Sequence, residues 1–380
     1  AEACARWQVG HPRRCYEPLL SESWILDIDT TVKPLYGHQE GAQVGFNPHK
    51  PGRPSHVYHT YFMANVRLVL DVEVQGGKRT AAVHTRPGLF AFLDGLAREK
   101  WPAFVRGDIA FGNEGMMNDC EVRGLHYVFK LKQSGKVKRL IREVFGRADW
   151  VAAGQGWEGV EATLRLVGWT RERRVIVLRR EIAGEGMLEK TERSGQMVFA
   201  EIETADGAKK YEYVVLVTSL PDAIPTLAQH YRDRADAENV IDELKNQWSW
   251  CGFTTCDLKR CQIMARMAAL IYNWWSLFVR LAIPERHAEA VTSRPLLLHA
   301  VGKKTEHAGQ TRVTITSTHA RATAIRKILS GLSRFFSWLR ATAEQLDWDQ
   351  RWRILLSRVF AFFLGGRLLA TPTKLLGENP

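Results

Sequence analysis

The most telling spacing in the chain is Tyr231-Arg-Asp-Arg-Ala-Asp-Ala-Glu-Asn-Val-Ile-Asp-Glu-Leu-Lys245. Read as a helix at ~100° per residue with Tyr231 at zero, it puts Arg234 near 300°, Glu238 near 340° and Lys245 near 320°. Ala237, Val240, Ile241 and Leu244 fill an apolar arc at about 180–280°, the stripe of a helix lying on a core. One carboxylate is thus flanked by two cations and a phenol. Taken alone, this also fits a solvated Arg234–Glu238 pair worth a few tenths of a kcal/mol. Two further carboxylates bear on the choice. Asp29 lies inside the apolar run Trp24–Val32, and Asp108 ends the run Ala103–Asp108. A carboxylate in a buried strand is expensive unless it is paired or holds a metal. Two strand-borne acids and one helix-borne acid are what a two-metal phosphodiester site needs, with hard ions ~4 Å apart. Asp27 rivals Asp29, since i and i+2 face the same side of a strand.

These residues resemble a known family, the DDE transposases of bacterial insertion sequences, in the subgroup with a Y-x2-R-x3-E-x6-K signature. Tyr231, Arg234, Glu238 and Lys245 match it at every position, Asp29-Thr30-Thr31 looks like the first catalytic Asp, and Arg106-Gly107-Asp108 looks like the second. The resemblance covers roughly residues 22–280. It implies a ribonuclease H-like α/β fold and catalysis by Asp29, Asp108 and Glu238 with Mg²⁺ or Mn²⁺, two ions in all. It implies double-stranded DNA, transposon ends and target, as partner, a possible homodimer on that DNA, and a cytoplasmic, nucleoid-associated location. Tyr231, Arg234 and Lys245 would hold the phosphate backbone. Lys50 and Arg53, in a Gly/Pro-rich loop, are further candidates for phosphate contact, with a solvated loop as the alternative.

The elements that must position these groups are legible in outline. Strands are expected at Trp24–Val32, His56–Met63, Val66–Val74, Ala103–Asp108 and His126–Leu131, with a hairpin at Ala64-Asn65 and helices over Leu89–Lys100 and Asn113–Arg123. Alternating runs at Ala162–Trp169, Arg174–Glu181, Met197–Glu203 and Tyr211–Thr218 predict an antiparallel β region, and the chain from Pro221 onward reads as mostly helical. The expected organisation is an N-terminal remnant (1–22), a catalytic domain (23–135 and 221–285), a β-rich insertion (136–220) and a basic helical C-terminal region (286–380). Only 28 residues precede Asp29, where such transposases usually carry a long DNA-binding region, and the chain begins without Met, as a fragment or processed form would.

Composition fits a polyanionic partner, nucleic acid or an anionic membrane surface. The net charge is +12, and residues from 259 onward, with 19 Lys and Arg against 7 Asp and Glu, carry the whole excess. A basic region of this kind supplies sequence-independent affinity for a polyanion. The stretch Ile263–Ile283 carries Arg266, Asn273 and Arg280 and reads as a buried helix, not a membrane span. Six cysteines without a framework read as reduced thiols, and the spacing of Cys251, Cys256 and Cys261 is not that of a zinc ribbon. His38, His49, His56 and His59 are too irregular for a zinc site. Trp150, Trp157 and Trp169 read as core, with base stacking as the alternative, and Tyr272-Asn-Trp-Trp275 reads as core. No Gly-rich phosphate loop or G-x-S-x-G elbow appears, so nucleotide hydrolysis and serine esterase chemistry lack support. A stand-alone ribonuclease H-like nuclease and a truncated, non-catalytic DNA-binding remnant are the rival readings.

Overall fold

A computed structural model describes residues 11, 13–47, 50–182, 198–199, 211–250, 252, 255–298, 302–315 and 320–369. One mixed sheet organises them. Its strands are β1 (Ile25–Pro34), β2 (Gln43–Val44), β3 (Pro54–Met63), β4 (Leu68–Gly76), β5 (Phe104–Gly107), β6 (His126–Lys130), β7 (Val151–Gly154), β8 (Trp157–Leu164), β9 (Arg173–Glu181), β10 (Val198–Phe199) and β11 (Tyr211–Thr218). The order is β4-β3-β1-β5-β6-β11-β9-β8-β7, with β2 on the start of β3 and β10 on β11. β5 runs parallel to both β1 and β6, while β3 and β4 are antiparallel. This is a large mixed α/β sheet, as the resemblance implies. The alternating runs of the later residues hydrogen-bond directly onto it, through β11 antiparallel to β6.

Helices cover both faces: α1 (Arg86–Asp94), α2 (Glu114–Val122), α3 (Gly135–Phe145), α4 (Ile224–Arg232), α5 (Ala235–Gln247) and α6 (Leu258–Ala282). The two-residue period of the strands assigns the faces. Leu26, Ile28, Val105, Tyr127 and Phe129 pack with Leu89, Phe90 and Met116 from α1 and α2. The opposite face carries Tyr58, Phe62 and Val72 against α5 and α6, and Phe104 and Val128 against α4. Asp27, Asp29, Arg106 and Lys130 fall on this second parity, so they share the side of α4 and α5.

α6 is the long helix read from Ile263–Ile283, opened by Asp257, whose side chain accepts from the Arg260 N–H. Its buried Asn273 both donates to and accepts from the backbone of Val69, so its polar group is satisfied in the core. Among the described residues no helix is long and apolar enough to cross a membrane.

Four local expectations differ. The helix over Tyr231–Lys245 is two, α4 and α5, bent at Asp233-Arg234, where Asp236 and Ala237 bond back three residues instead of four. The strand placed at Ala162–Trp169 lies at Trp157–Leu164, because Gln155 and Gly156 both take positive φ and turn a tight β7–β8 hairpin ahead of it. The link at Ala64–Val66 is a 3-10 turn closed by Arg67 in the left-handed region, not a two-residue hairpin. The C-terminal region holds α7 (Ala290–Leu297), α8 (Ala322–Ala341) and α9 (Trp348–Val359), but also a hairpin, β12 (Gly302–His307) and β13 (Gln310–Ile315), turned at Ala308-Gly309. Of the run Met197–Glu203 only 198–199 is described. Cys251 and His49 also lie outside the described residues.

Candidate active site

Asp27 and Asp29, on one face of the same strand and told apart in the sequence only by the resemblance of Asp29-Thr30-Thr31, part company in the fold. Asp27 pairs in register with Arg106 of β5, whose Nε and Nη2 donate to its two carboxylate oxygens at 2.6 and 2.8 Å. Both side chains are buried, and the bidentate geometry satisfies the carboxylate. Asp29, two residues on, leaves this pair behind and lines a cleft of about 670 Å³.

Asp108 reaches the same cleft from the end of β5. The three residues of its motif have separate tasks. Arg106 locks β5 to β1. Gly107 lies so close to the Phe111 ring that a Cβ would sit 2.6 Å from it, so only glycine fits here. Asp108 then turns out of the strand, and its Oδ1 accepts from the Ala110 N–H at 2.9 Å.

Glu238 and Lys245 line the cleft from α5, as the helical arithmetic predicts, while Ala237, Val240 and Leu244 are buried beneath them. Ile241 lies at the boundary, buried yet touching the cleft. Arg234, at the bend before α5, is itself buried and joins two of the acids. Its Nη2 donates to Asp29 Oδ2 and its Nη1 to Glu238 Oε1, each at 2.5 Å. The two carboxylates therefore stand one guanidinium apart. Asp108 is near enough to act on both Asp29 and Arg234 electrostatically.

Burial pushes the Asp29 carboxyl up to about 6; Arg234 and the Thr30 N–H oppose that rise, and Asp108 and Glu238 add to it. Desolvation lowers Arg234 but the surrounding acids, Asp29 foremost, raise it further, so it stays cationic. Tyr231 packs on the apolar cluster under α4, where burial raises its phenol. The residue is near Arg234 and the three acids but does not line the cleft. Lys50 and Arg53 sit over the exposed ring of Tyr36, at 5.0 and 4.7 Å from its centre, and Lys50 also donates to the Tyr36 hydroxyl. Neither lines the cleft.

Two cleft groups, Asp242 and Phe46, and one lysine near the acids, Lys130, escaped the sequence reading. Asp242 lines the cleft one turn beyond Glu238, and the i+4 spacing on the polar face could have named it. Phe46 lines it while 72% exposed, an apolar ring in a loop with no periodic signal. Lys130, at the end of β6, has its ammonium pKa lowered by burial and partly restored by Glu238 and Asp108. Its place beside Asp108 comes from strand register, which single-residue reading does not give.

Asp29, Asp108 and Glu238, with Asp242 beside them, offer the hard oxygen donors that Mg²⁺ or Mn²⁺ prefers. Among the described residues no three His, Cys, Asp or Glu side chains are gathered closely enough to cage an ion by themselves. His56 and His59 are buried in β3, bonded to the Glu40 carbonyl and the Thr85 hydroxyl. Trp169 is buried, while Trp150 and Trp157 are partly buried beneath Arg179 and Arg180.

The model of a family described as transposase DDE domain, group 1, matches residues 19–336. No curated protein matches the chain. Among solved structures, it is similar to one titled as the cryo-EM structure of a piggyBac transposase synaptic complex with hairpin DNA, at 12% identity and a TM-score of 0.37. That match covers 88% of this chain and 57% of the other, so this chain spans little more than half its length. With the family match spanning most of its residues, the chain belongs to the group 1 transposase DDE domain family.

Proposed function

We propose that this chain is a DNA transposase that cuts one strand at a transposon end and joins the freed 3′ hydroxyl to target DNA by in-line displacement. The observation that carries the reading is the convergence of Asp29, Asp108 and Glu238 on one cleft from β1, the end of β5 and α5. These three would hold Mg²⁺ or Mn²⁺. When bound, two such ions supply an activated water and charge for the departing oxygen. The chain's own groups supply position. Arg234 fixes the spacing of Asp29 and Glu238, and as a buried cation near the reacting phosphate it can steady an oxygen of that group. Lys245 on the cleft wall would take a backbone phosphate, with Tyr231 beside Arg234 and with Lys50 and Arg53 further out. Such contacts place a duplex without reading its sequence.

The same proposal takes residues 23–135 and 221–285 as the catalytic unit, 136–220 as an insertion and 286–380 as a basic accessory region. It includes assembly as a homodimer on DNA and a cytoplasmic, nucleoid-associated setting in a bacterium. The test is incubation with DNA carrying the ends of the encoding element, in Mg²⁺, Mn²⁺ or EDTA, with cut positions mapped. Metal-dependent nicks at the element boundary support the reading. A strand-transfer assay with pre-cleaved ends separates it from a stand-alone nuclease, which would cut without joining.

A further inference from the structure

A second concavity, about 540 Å³, lies away from the acids, between the C-terminal end of α6 and one face of α8. Arg321, Ala324, Lys327, Ile328, Gly331 and Arg334 line it at spacings of three or four, so they form a single helix face. Arg286 and Arg358 complete the basic lining, against the single carboxylate of Glu285. Arg286, Lys327 and Arg334 are exposed and make no ion pair among the described residues. Burial and the nearby Arg334 both depress Arg358, the sign of cations crowded together.

From Arg321 to Arg334 the helix rises about 20 Å, a length that faces about six phosphates of one DNA strand at 3.4 Å each. Between the cations the face carries Ala324, Ile328 and Gly331. A Cβ at Gly331 would meet nothing within 4 Å, so packing inside this chain does not call for glycine. Glycine is also a poor helix former.

We propose that this groove is a second nucleic-acid site, binding the phosphate backbone of double-stranded DNA in a sequence-independent way and separate from the catalytic cleft. The inference rests on the DNA-processing reading above. Arg321, Lys327 and Arg334, about 10 Å apart along the helix, grip phosphates about three apart on one strand, and the strand lies over Ala324, Ile328 and Gly331.

The test is fluorescence anisotropy of a short labelled duplex of arbitrary sequence, in EDTA, across a salt series. The paired substitution Lys327→Glu with Arg334→Glu should lower affinity about tenfold or more and reduce the slope of log K against log salt by about 1.8, for two phosphates. The pair Lys138→Glu with Arg139→Glu on α3 makes the same charge change elsewhere and should do much less. Gly331→Leu keeps every charge and replaces a poor helix former; it should raise the melting temperature yet weaken duplex binding. Equal losses from both charge swaps, or parental binding by the α8 variants, would overturn the groove while leaving the transposase reading standing. A parent that binds no duplex at any salt would overturn both. Loss of binding to a polyglutamate peptide alone, with DNA affinity kept, would reassign the groove to an acidic protein.

Discussion

Arg234 Nη2 lies 2.5 Å from Asp29 Oδ2 across 205 residues of chain, with the two side chains only 5% and 14% exposed. The carboxylate read as a metal ligand and the arginine read as a phosphate clamp are thus partners of each other. Removing Arg234 leaves Asp29 buried and uncompensated. Arg234→Ala should destabilise the metal-free protein by roughly 3 kcal/mol, as when one member of a buried pair is lost. Mn²⁺ should restore more of the melting temperature in the variant than in the parent. Thermal melts with and without the ion check this; equal responses would mean that Asp29 does not take up a cation.

Asp27 and Asp29 should fail in different ways. Asp27→Asn breaks the bidentate pair with Arg106 and leaves that guanidinium buried without its charge partner. It should lower stability by about 3–5 kcal/mol, while the folded fraction keeps its nicking rate. Asp29→Asn should show the reverse. Urea unfolding beside nicking per folded molecule separates them, and a folded Asp27→Asn protein that cannot nick would reverse the assignment.

On α5 the two faces should also separate. Lys245→Ala should weaken duplex binding and reduce the salt slope by about 0.9, with little change in melting. Val240 is buried against β-sheet residues, so Val240→Ala should cost roughly 1–3 kcal/mol and leave the slope alone. A parental slope in Lys245→Ala would remove that residue from the phosphate contacts.

Acid should unfold the protein partly through His59. Burial, helped by His84, holds its imidazole down at about 3, below the ordinary 6.5. The unfolded chain therefore binds a proton first, so this contribution is complete above about pH 6.5 and is lost as pH falls toward 3. His59→Asn should flatten the dependence of unfolding free energy on pH in that window. An unchanged slope would show that other groups set the acid limit.

Much of the site was legible in types and spacing because the chemistry is local there. Glu238 and Lys245 share a helix face over buried Val240 and Leu244, and one period-3.6 pattern contains all four. The resemblance of Asp29-Thr30-Thr31 alone favours Asp29 over Asp27 in the sequence; the physical difference between them, Arg106 standing opposite Asp27 in a parallel pairing, is not encoded in residue order. Arg234 lies beside Glu238 as its spacing suggests, but its bond to Asp29, made at the bend at Asp233-Arg234, is not visible in spacing. Lys130 needed the register of three strands. The β12–β13 hairpin was missed although its alternating polar residues flank Ala308-Gly309, a turn pair in the left-handed region; the helical runs on either side masked the change of period.

The central claim, that these acids cut DNA with a metal ion, is tested most directly by Asp108→Asn. The amide is nearly isosteric but loses the charge that would hold the ion, and Asp108 lies past the strand end, outside the buried pair of Asp27 and Arg106. The measurement is nicking of end-containing duplex in Mg²⁺ or Mn²⁺, with anisotropy of the same duplex alongside. The account predicts that cleavage disappears while duplex affinity stays at the parental value; cleavage by Asp108→Asn at the parental rate would contradict it.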